Sequence, residues 1–201
     1  MISVYQLKPK FQQLLQPVLI QLKKLGFTPN GLTLLALILS IATGLFCFYG
    51  PNQIALLLLP LFLLFRMALN ALDGMMARQF QLQSKKGAIL NEFGDILSDL
   101  ALYYPLVKLF EIKDHEWIWC FLLLGVINEF AGLLGQALSG ERRYDGPMGK
   151  SDRALVIGLL CILSWFGLSL QNYFSWIFLS IFILLFISTY KRLKNASLSH
   201  E

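Results

Sequence analysis

The chain has 201 residues, of which 56% are apolar and only 14% charged, with a formal net charge of +5 and a mean hydropathy of +0.61. That leaves too few polar residues to coat a water-exposed globule, so a soluble domain is excluded and a lipid-facing chain is expected. The basic residues gather at the ends of apolar runs and not on one patch, which excludes a nucleic-acid partner and points to topology-setting charge beside an anionic leaflet.

In chain order, the first element is an amphipathic helix over residues 1–27. Leu7, Phe11, Leu14, Leu15, Val18, Leu22 and Leu25 recur at helical steps, with Lys8, Gln12, Gln13, Gln16, Lys23 and Lys24 largely off that stripe. The pattern predicts a helix lying in the membrane interface, bent at Pro17. It lacks the continuous apolar core of a cleavable signal. Thr28-Pro29-Asn30 then opens a first apolar run to Tyr49, and Gly50-Pro51-Asn52 makes a tight turn. A second run covers Ile54 to Asn70 and continues helically through Ala77; a third covers Gly87 to Phe110, and a fourth Trp117 to Leu138. The fifth, Arg153 to Leu170, and the sixth, Tyr173 to Tyr190, are the shortest. Each approaches the ~20 residues that cross ~30 Å of hydrocarbon. The expected fold is all-α and polytopic: one membrane domain over residues 1–201, with six transmembrane helices in a bundle over residues 30–190.

Fourteen of the seventeen Lys and Arg residues fall at one set of span ends, against Lys108 and Lys113 at the other, with Arg66 inside span two. This asymmetry predicts cytoplasmic termini, in a bacterial inner membrane. Cys47, Cys120 and Cys161 sit in apolar runs without C-x-x-C spacing and read as small hydrophobes. His115 and His200 read as solvated.

Ionisable residues inside spans cost roughly 2.5–3.5 kcal/mol each and mark function by default. Here they are Arg66, Asp73, Glu92, Asp95, Asp99 and Glu129. At 100° per residue, Asn91, Asp95, Asp99 and Glu92 fall within about 100° of one helix face, and Asn70 and Asp73 share a face of the preceding helix. Two helices therefore offer oxygen ligands across one gap, a set suited to Mg²⁺ or Mn²⁺ and not to zinc, since no Cys or His is near. Gly74, Ala77 and Gly87 let a bulky ligand approach the backbone, and Arg78 offers a fork for phosphate. Arg66 is expected to pair with an acid of span three or with Glu129, and Glu129 to partner a buried base.

The segment Asn70-Ala-Leu-Asp73-Gly74-Met-Met-Ala77-Arg78, followed after eight residues by Gly87 and then by Asn91 and Asp95 at steps of four, resembles the signature of the CDP-alcohol phosphotransferases. Their pattern is D-x-x-D-G-x-x-A-R, eight residues, G-x-x-x-D-x-x-x-D. The Thr28-Pro29-Asn30 segment and the six-span layout are also similar to that family. The resemblance implies an enzyme of phospholipid synthesis that moves a phosphatidyl or similar phospho group from a CDP-linked lipid, CDP-diacylglycerol above all, to an alcohol, releasing CMP. It implies Asp73 as a metal ligand and Asp95 as general base and ligand. Gly74, Ala77, Arg78 and Gly87 would accommodate the cytidine diphosphate, and Lys150 and Arg153 an acceptor, with a phosphorylated alcohol favoured. Homodimers are common in the family.

Two signature aspartates are asparagine here, Asn70 and Asn91. An amide oxygen can ligate a hard cation but carries no charge, so two divalent ions against Asp73 and Asp95 alone would leave an excess of +2. Either one ion binds or another acid compensates, and Glu92 is the expected compensator; Asp99 lies ~12 Å along the helix from Asn91, too far to share an ion with it. The asparagines also keep a second reading open, a catalytically altered or inactive member that binds CDP-lipid or a partner enzyme. A transporter is the rival from another class, since carboxylates in spans also mark proton relays.

Overall fold

The computed structural model describes residues 8–110, 115–140 and 142–198. Leu7, Lys113 and His200, all used above, lie outside the described residues. Within them the chain is all-helical: α1 (Lys8–Lys24), α2 (Pro29–Tyr49), α3 (Asn52–Gln79), α4 (Lys85–Tyr103), α5 (Leu106–Leu109), α6 (Glu116–Ser139), α7 (Lys150–Trp165) and α8 (Gln171–Leu198). The helix starts follow from local chemistry. The Thr28 hydroxyl accepts from the Gly31 N–H at 3.1 Å, with Pro29 in the first turn, and Ser84 does the same for Gly87 at 3.0 Å.

Among the described residues, four helices are long and apolar enough to cross a membrane: α2, α3, α6 and α8. The expected third and fifth spans differ. The third ends early at Tyr103, because Pro105 lacks an N–H and the chain resumes as the one-turn α5. What remains, α4, carries Lys85, Lys86, Glu92, Asp95 and Asp99 in 19 residues. The fifth, α7, has 16 residues, about 24 Å at 1.5 Å each, and stops at the turn where Gly167 takes φ +79°. By contrast α3 and α8 reach 28 residues each, about 42 Å. They overrun a hydrocarbon core, and the second half of α3 carries the polar motif.

The helix α2 packs against α3 and α4, α3 also against α7 and α1, and α6 against α8. Gly44 sets the α2–α4 approach: a Cβ there would lie 2.2 Å from the Ala101 carbonyl oxygen. Leu59, Leu63, Leu102, Leu106, Ile118, Ile157, Phe178 and Leu185 fill the main core. Lys108 closes one end, donating to the carbonyls of Phe48 and Gly50 at 2.8 and 2.9 Å, which places its charge at the C-terminus of α2.

The helix α1 runs unbroken through Pro17 and has two apolar sides. Leu15, Leu19 and Leu22 pack with Leu32, Ala36, Leu69, Leu72 and Met75, whereas Leu14, Val18 and Leu25 of the expected stripe face outward. Gln16 and Gln79 exchange side-chain hydrogen bonds at 2.9 and 3.0 Å, tying α1 to the end of α3.

Candidate active site

Arg66, Asn70 and Asp73 stand at steps of four and three on α3, and Asn91, Asp95 and Asp99 at steps of four on α4, so each set forms one stripe. Both helices lean on α2 while their own backbones stay apart, and these stripes bridge the gap. The bridging is reciprocal. The Asn70 amide of α3 donates to Asp95 Oδ1 of α4 at 2.7 Å, and the Asn91 amide of α4 donates to Asp73 Oδ2 of α3 at 3.3 Å. All four signature positions thus meet in one place. Thr33 of α2 adds a hydroxyl donated to Asp73 Oδ2 at 2.9 Å.

Asp95 has further partners. Arg66 reaches its Oδ1 at 3.3 Å and its backbone carbonyl at 3.0 Å, and Lys150, on the first turn of α7, reaches Oδ2 at 2.5 Å. One helical turn on, Asp99 is held between Arg66 and Arg153, the latter at 2.8 Å. Arg153 also binds Glu129 of α6 at 3.0 Å, and Glu129 is ringed by Arg142 at 3.0 Å, Lys150 at 3.6 Å and Arg192 of α8 at 3.9 Å. Glu92 pairs with Arg142. A small hollow lies beneath, between α4, α6 and α7, lined by Asp99, Tyr103, Gly125, Glu129 and Arg153.

Among the described residues, the groups joined here are five acids (Asp73, Glu92, Asp95, Asp99, Glu129) and five bases (Arg66, Arg142, Lys150, Arg153, Arg192), so the formal charge of these ten is zero; Asp145 lies at the edge, beside Arg192. Asp73 is the exception in its pairing. It is 3% exposed and, among the described residues, has no cationic side chain in ion-pair contact, only a hydroxyl and an amide on Oδ2. A buried carboxylate without a cation is costly, and a hard divalent ion is a partner that would relieve it.

The expected residues do not all converge. Asp73, Asp95, Asn70 and Asn91 do. Glu92 is paired with Arg142, which also binds Glu129 of α6. Arg153 is 1% exposed and committed to Asp99, Glu129 and the Met148 carbonyl, so it is sealed from an acceptor; Lys150 is half-buried at the edge. Arg78 is exposed and lies over Gly74, where a Cβ would meet its guanidinium at 3.2 Å; Ala77 is half-buried. Gly87 is explained locally, since a Cβ there would lie 2.6 Å from Asn30 Oδ1. Of its two expected partners Arg66 takes the acids of α4, Asp95 and Asp99, and not Glu129, which partners buried bases as expected. Thr33 went unnoticed there, although it is a polar residue within an apolar run; Arg142 and Arg192 were hidden among the topology-setting charges.

Among the described residues, no three His, Cys, Asp or Glu side chains form a metal-holding group. What the site offers is two carboxylates and two amide oxygens. That donor set, Asp73 and Asp95 with Asn70 and Asn91 whose neutral amides can turn oxygen inward, is of the kind that could hold a hard divalent ion.

The family model for CDP-alcohol phosphatidyltransferase matches residues 27–189. The chain is 48% identical over 174 residues to an Escherichia coli inner membrane protein, covering 87% of this chain and 83% of that one. It is 34% identical to the archaetidylinositol phosphate synthase of Pyrococcus horikoshii, covering 79% of this chain and 89% of that one. In fold it is similar to crystal structures of the phosphatidylinositol phosphate synthase of Mycobacterium tuberculosis. One, in complex with manganese and citrate, has a TM-score of 0.74 at 22% identity, covering 90% of this chain and 88% of that one. Another, with CDP-DAG bound, has a TM-score of 0.67 at 20% identity, covering 90% and 92%.

Proposed function

The chain belongs to the CDP-alcohol phosphatidyltransferase family, and from that premise we propose that it transfers a phosphatidyl or similar phospho group from a CDP-linked lipid to an alcohol, with release of CMP, in phospholipid synthesis. The observation that carries this reading is the reciprocal bridging of Asn70 to Asp95 and of Asn91 to Asp73 across the α3–α4 gap. Asp95 takes the proton of the acceptor hydroxyl, whose oxygen attacks the phosphorus next to the lipid; the bond to the CMP oxygen breaks and CMP leaves. Lys150 shifts along the Asp95 carboxylate on its flexible stem, so that one oxygen takes that proton while the ammonium stays beside the other. A divalent ion, Mg²⁺ or Mn²⁺, supplies charge neutralisation to the diphosphate when bound. Asp73, Asp95 and the two amides hold it. Gly74, Ala77, Arg78 and Gly87 lie along the nucleotide side, with the exposed Arg78 guanidinium toward phosphate.

CDP-diacylglycerol is the leading donor, as the CDP-DAG complex of the mycobacterial synthase suggests for a chain of like fold. A phosphorylated alcohol is the leading acceptor class, consistent with two relatives named as synthases of inositol phosphate lipids. Lys150, at the rim of the site, is its contact. In this reading α4 and α7 complete six spans, with both termini cytoplasmic. Residues 1–201 act as one membrane domain, which pairs as a homodimer, and the outward leucines of α1 lie in the interface.

Lys150 at 2.5 Å from Asp95 favours a second reading, a member whose base is permanently masked and which only binds CDP-lipid or a partner enzyme. Purified protein given CDP-diacylglycerol, Mn²⁺ and a panel of alcohols separates the two. CMP that vanishes in Asp95→Ala supports transfer; no CMP with any acceptor supports the masked member.

A further inference from the structure

Resting on the proposed transfer, we infer that this chain works with one divalent ion per site and that the Lys150 ammonium stands, tethered, where a second cation would otherwise balance Asp95. Three observations converge. Among the described residues, the five acids and five bases joined around the site are already formally neutral without any ion. A CDP-linked lipid brings the two phosphodiester charges of its diphosphate, so one divalent ion returns the loaded site to zero, whereas two leave an excess of +2 in a water-poor interior. And the two carboxylates differ in their surroundings. The Asp73 side chain meets neutral donors, Thr33 and Asn91 among them, and no cation is in ion-pair contact with it among the described residues, so that position is left for an ion. Asp95 has an ammonium on one oxygen at 2.5 Å and a guanidinium on the other at 3.3 Å.

The neutrality of Asn70 and Asn91 holds whichever way their amides turn, so the charge count does not depend on the rotamer. Glu92 could have restored a third negative charge, but it is paired with Arg142. Lys150 is suited to this role in a way Arg66 is not. It is half-buried at the first turn of α7 on a flexible stem, while Arg66 is 3% exposed and fixed to Asp99 and to the Asp95 carbonyl as well.

The test is a Mn²⁺ titration of the purified full chain in detergent, with and without CDP-diacylglycerol, free Mn²⁺ being followed by its EPR signal. CMP release is assayed on the same preparation. The expected result is one ion per chain. Lys150→Met should keep that number and tighten it about tenfold, the scale of removing one neighbouring like charge. Lys150→Arg, which retains the charge, should stay at the wild-type affinity and so reports on folding. Asn70→Asp with Asn91→Asp and Lys150→Met should bind two. Two ions on the wild-type chain, with CMP released, would overturn the inference and leave the transfer standing. No ion and no CMP would remove both. No ion with CMP released, or Lys150→Met with unchanged affinity, would overturn the inference alone.

Discussion

Glu129 offers the sharpest stability prediction, because it gathers cations from α7, from α8 and from the connection between α6 and α7. It is 3% exposed, and its two oxygens meet Arg153 and Arg142 at 3.0 Å each, with Lys150 and Arg192 slightly farther away. Glu129→Gln keeps the shape and removes the charge. At an effective dielectric of 20, each close contact is worth about 5 kcal/mol in gross attraction, most of it offset by desolvation already incurred in folding. What remains after the change is four cations around a neutral amide, and breaking one buried pair in this way costs about 3–5 kcal/mol. For a chain of this size that corresponds to a fall in Tm of roughly 6–20 °C. The assay is thermal unfolding of the detergent-purified protein, with Glu116→Gln as the control. That residue makes the same chemical change on the same helix, but in an exposed first turn, and should move stability by less than about 0.5 kcal/mol. If the Tm of Glu129→Gln stays within 1–2 °C of the control, the cluster is not held together by this acid and the electrostatic account of the α6–α7–α8 junction is wrong.

Asp73→Asn should abolish Mn²⁺-dependent CMP release while leaving the fold intact, because no ion pair is broken; a steady-state assay beside a melting curve checks both halves. Gly44→Val should destabilise the bundle by about 1–3 kcal/mol, since the new Cβ would collide with the Ala101 carbonyl, and a lowered Tm without a change in metal affinity is the expected pattern. Lys108→Met leaves the Phe48 and Gly50 carbonyls at the end of α2 without their donor and should cost about 1–3 kcal/mol by the same melting assay. Chelation with EDTA should stop CMP release, and added Mn²⁺ should restore it; activity that survives exhaustive chelation would count against a metal-assisted transfer.

Much of the architecture was legible in the residues because hydropathy and helical spacing are local. The limits of α2 and α6 were anticipated to within a residue or two, and the Asn70–Asp73 stripe of one helix and the Asn91–Asp95 stripe of the next each followed from rotation per residue. The errors arose where a local pattern met a covalent or packing constraint. Pro105 cuts the third apolar run at Tyr103, and α1 turns out to carry two apolar sides, with Leu19 and not Leu14 against the bundle. Charge was the least legible feature. Arg142, Lys150, Arg153 and Arg192 look alike as basic residues at span ends, and nothing in their spacing tells which are solvated and which are buried partners.

The sequence by itself determined that this is a helical membrane chain and which four side chains of its second and third runs share a theme, since hydrophobicity and helix periodicity are properties of neighbouring residues. Only the tertiary structure decided how charge is distributed over that theme: that Glu92 is paired with Arg142, that Arg153 is locked to Asp99 and Glu129, and that Lys150 arrives on Asp95 from 55 residues away. Ion pairs between helices depend on how the helices lean on one another, and in this fold that is set by α2, the helix on which both α3 and α4 rest.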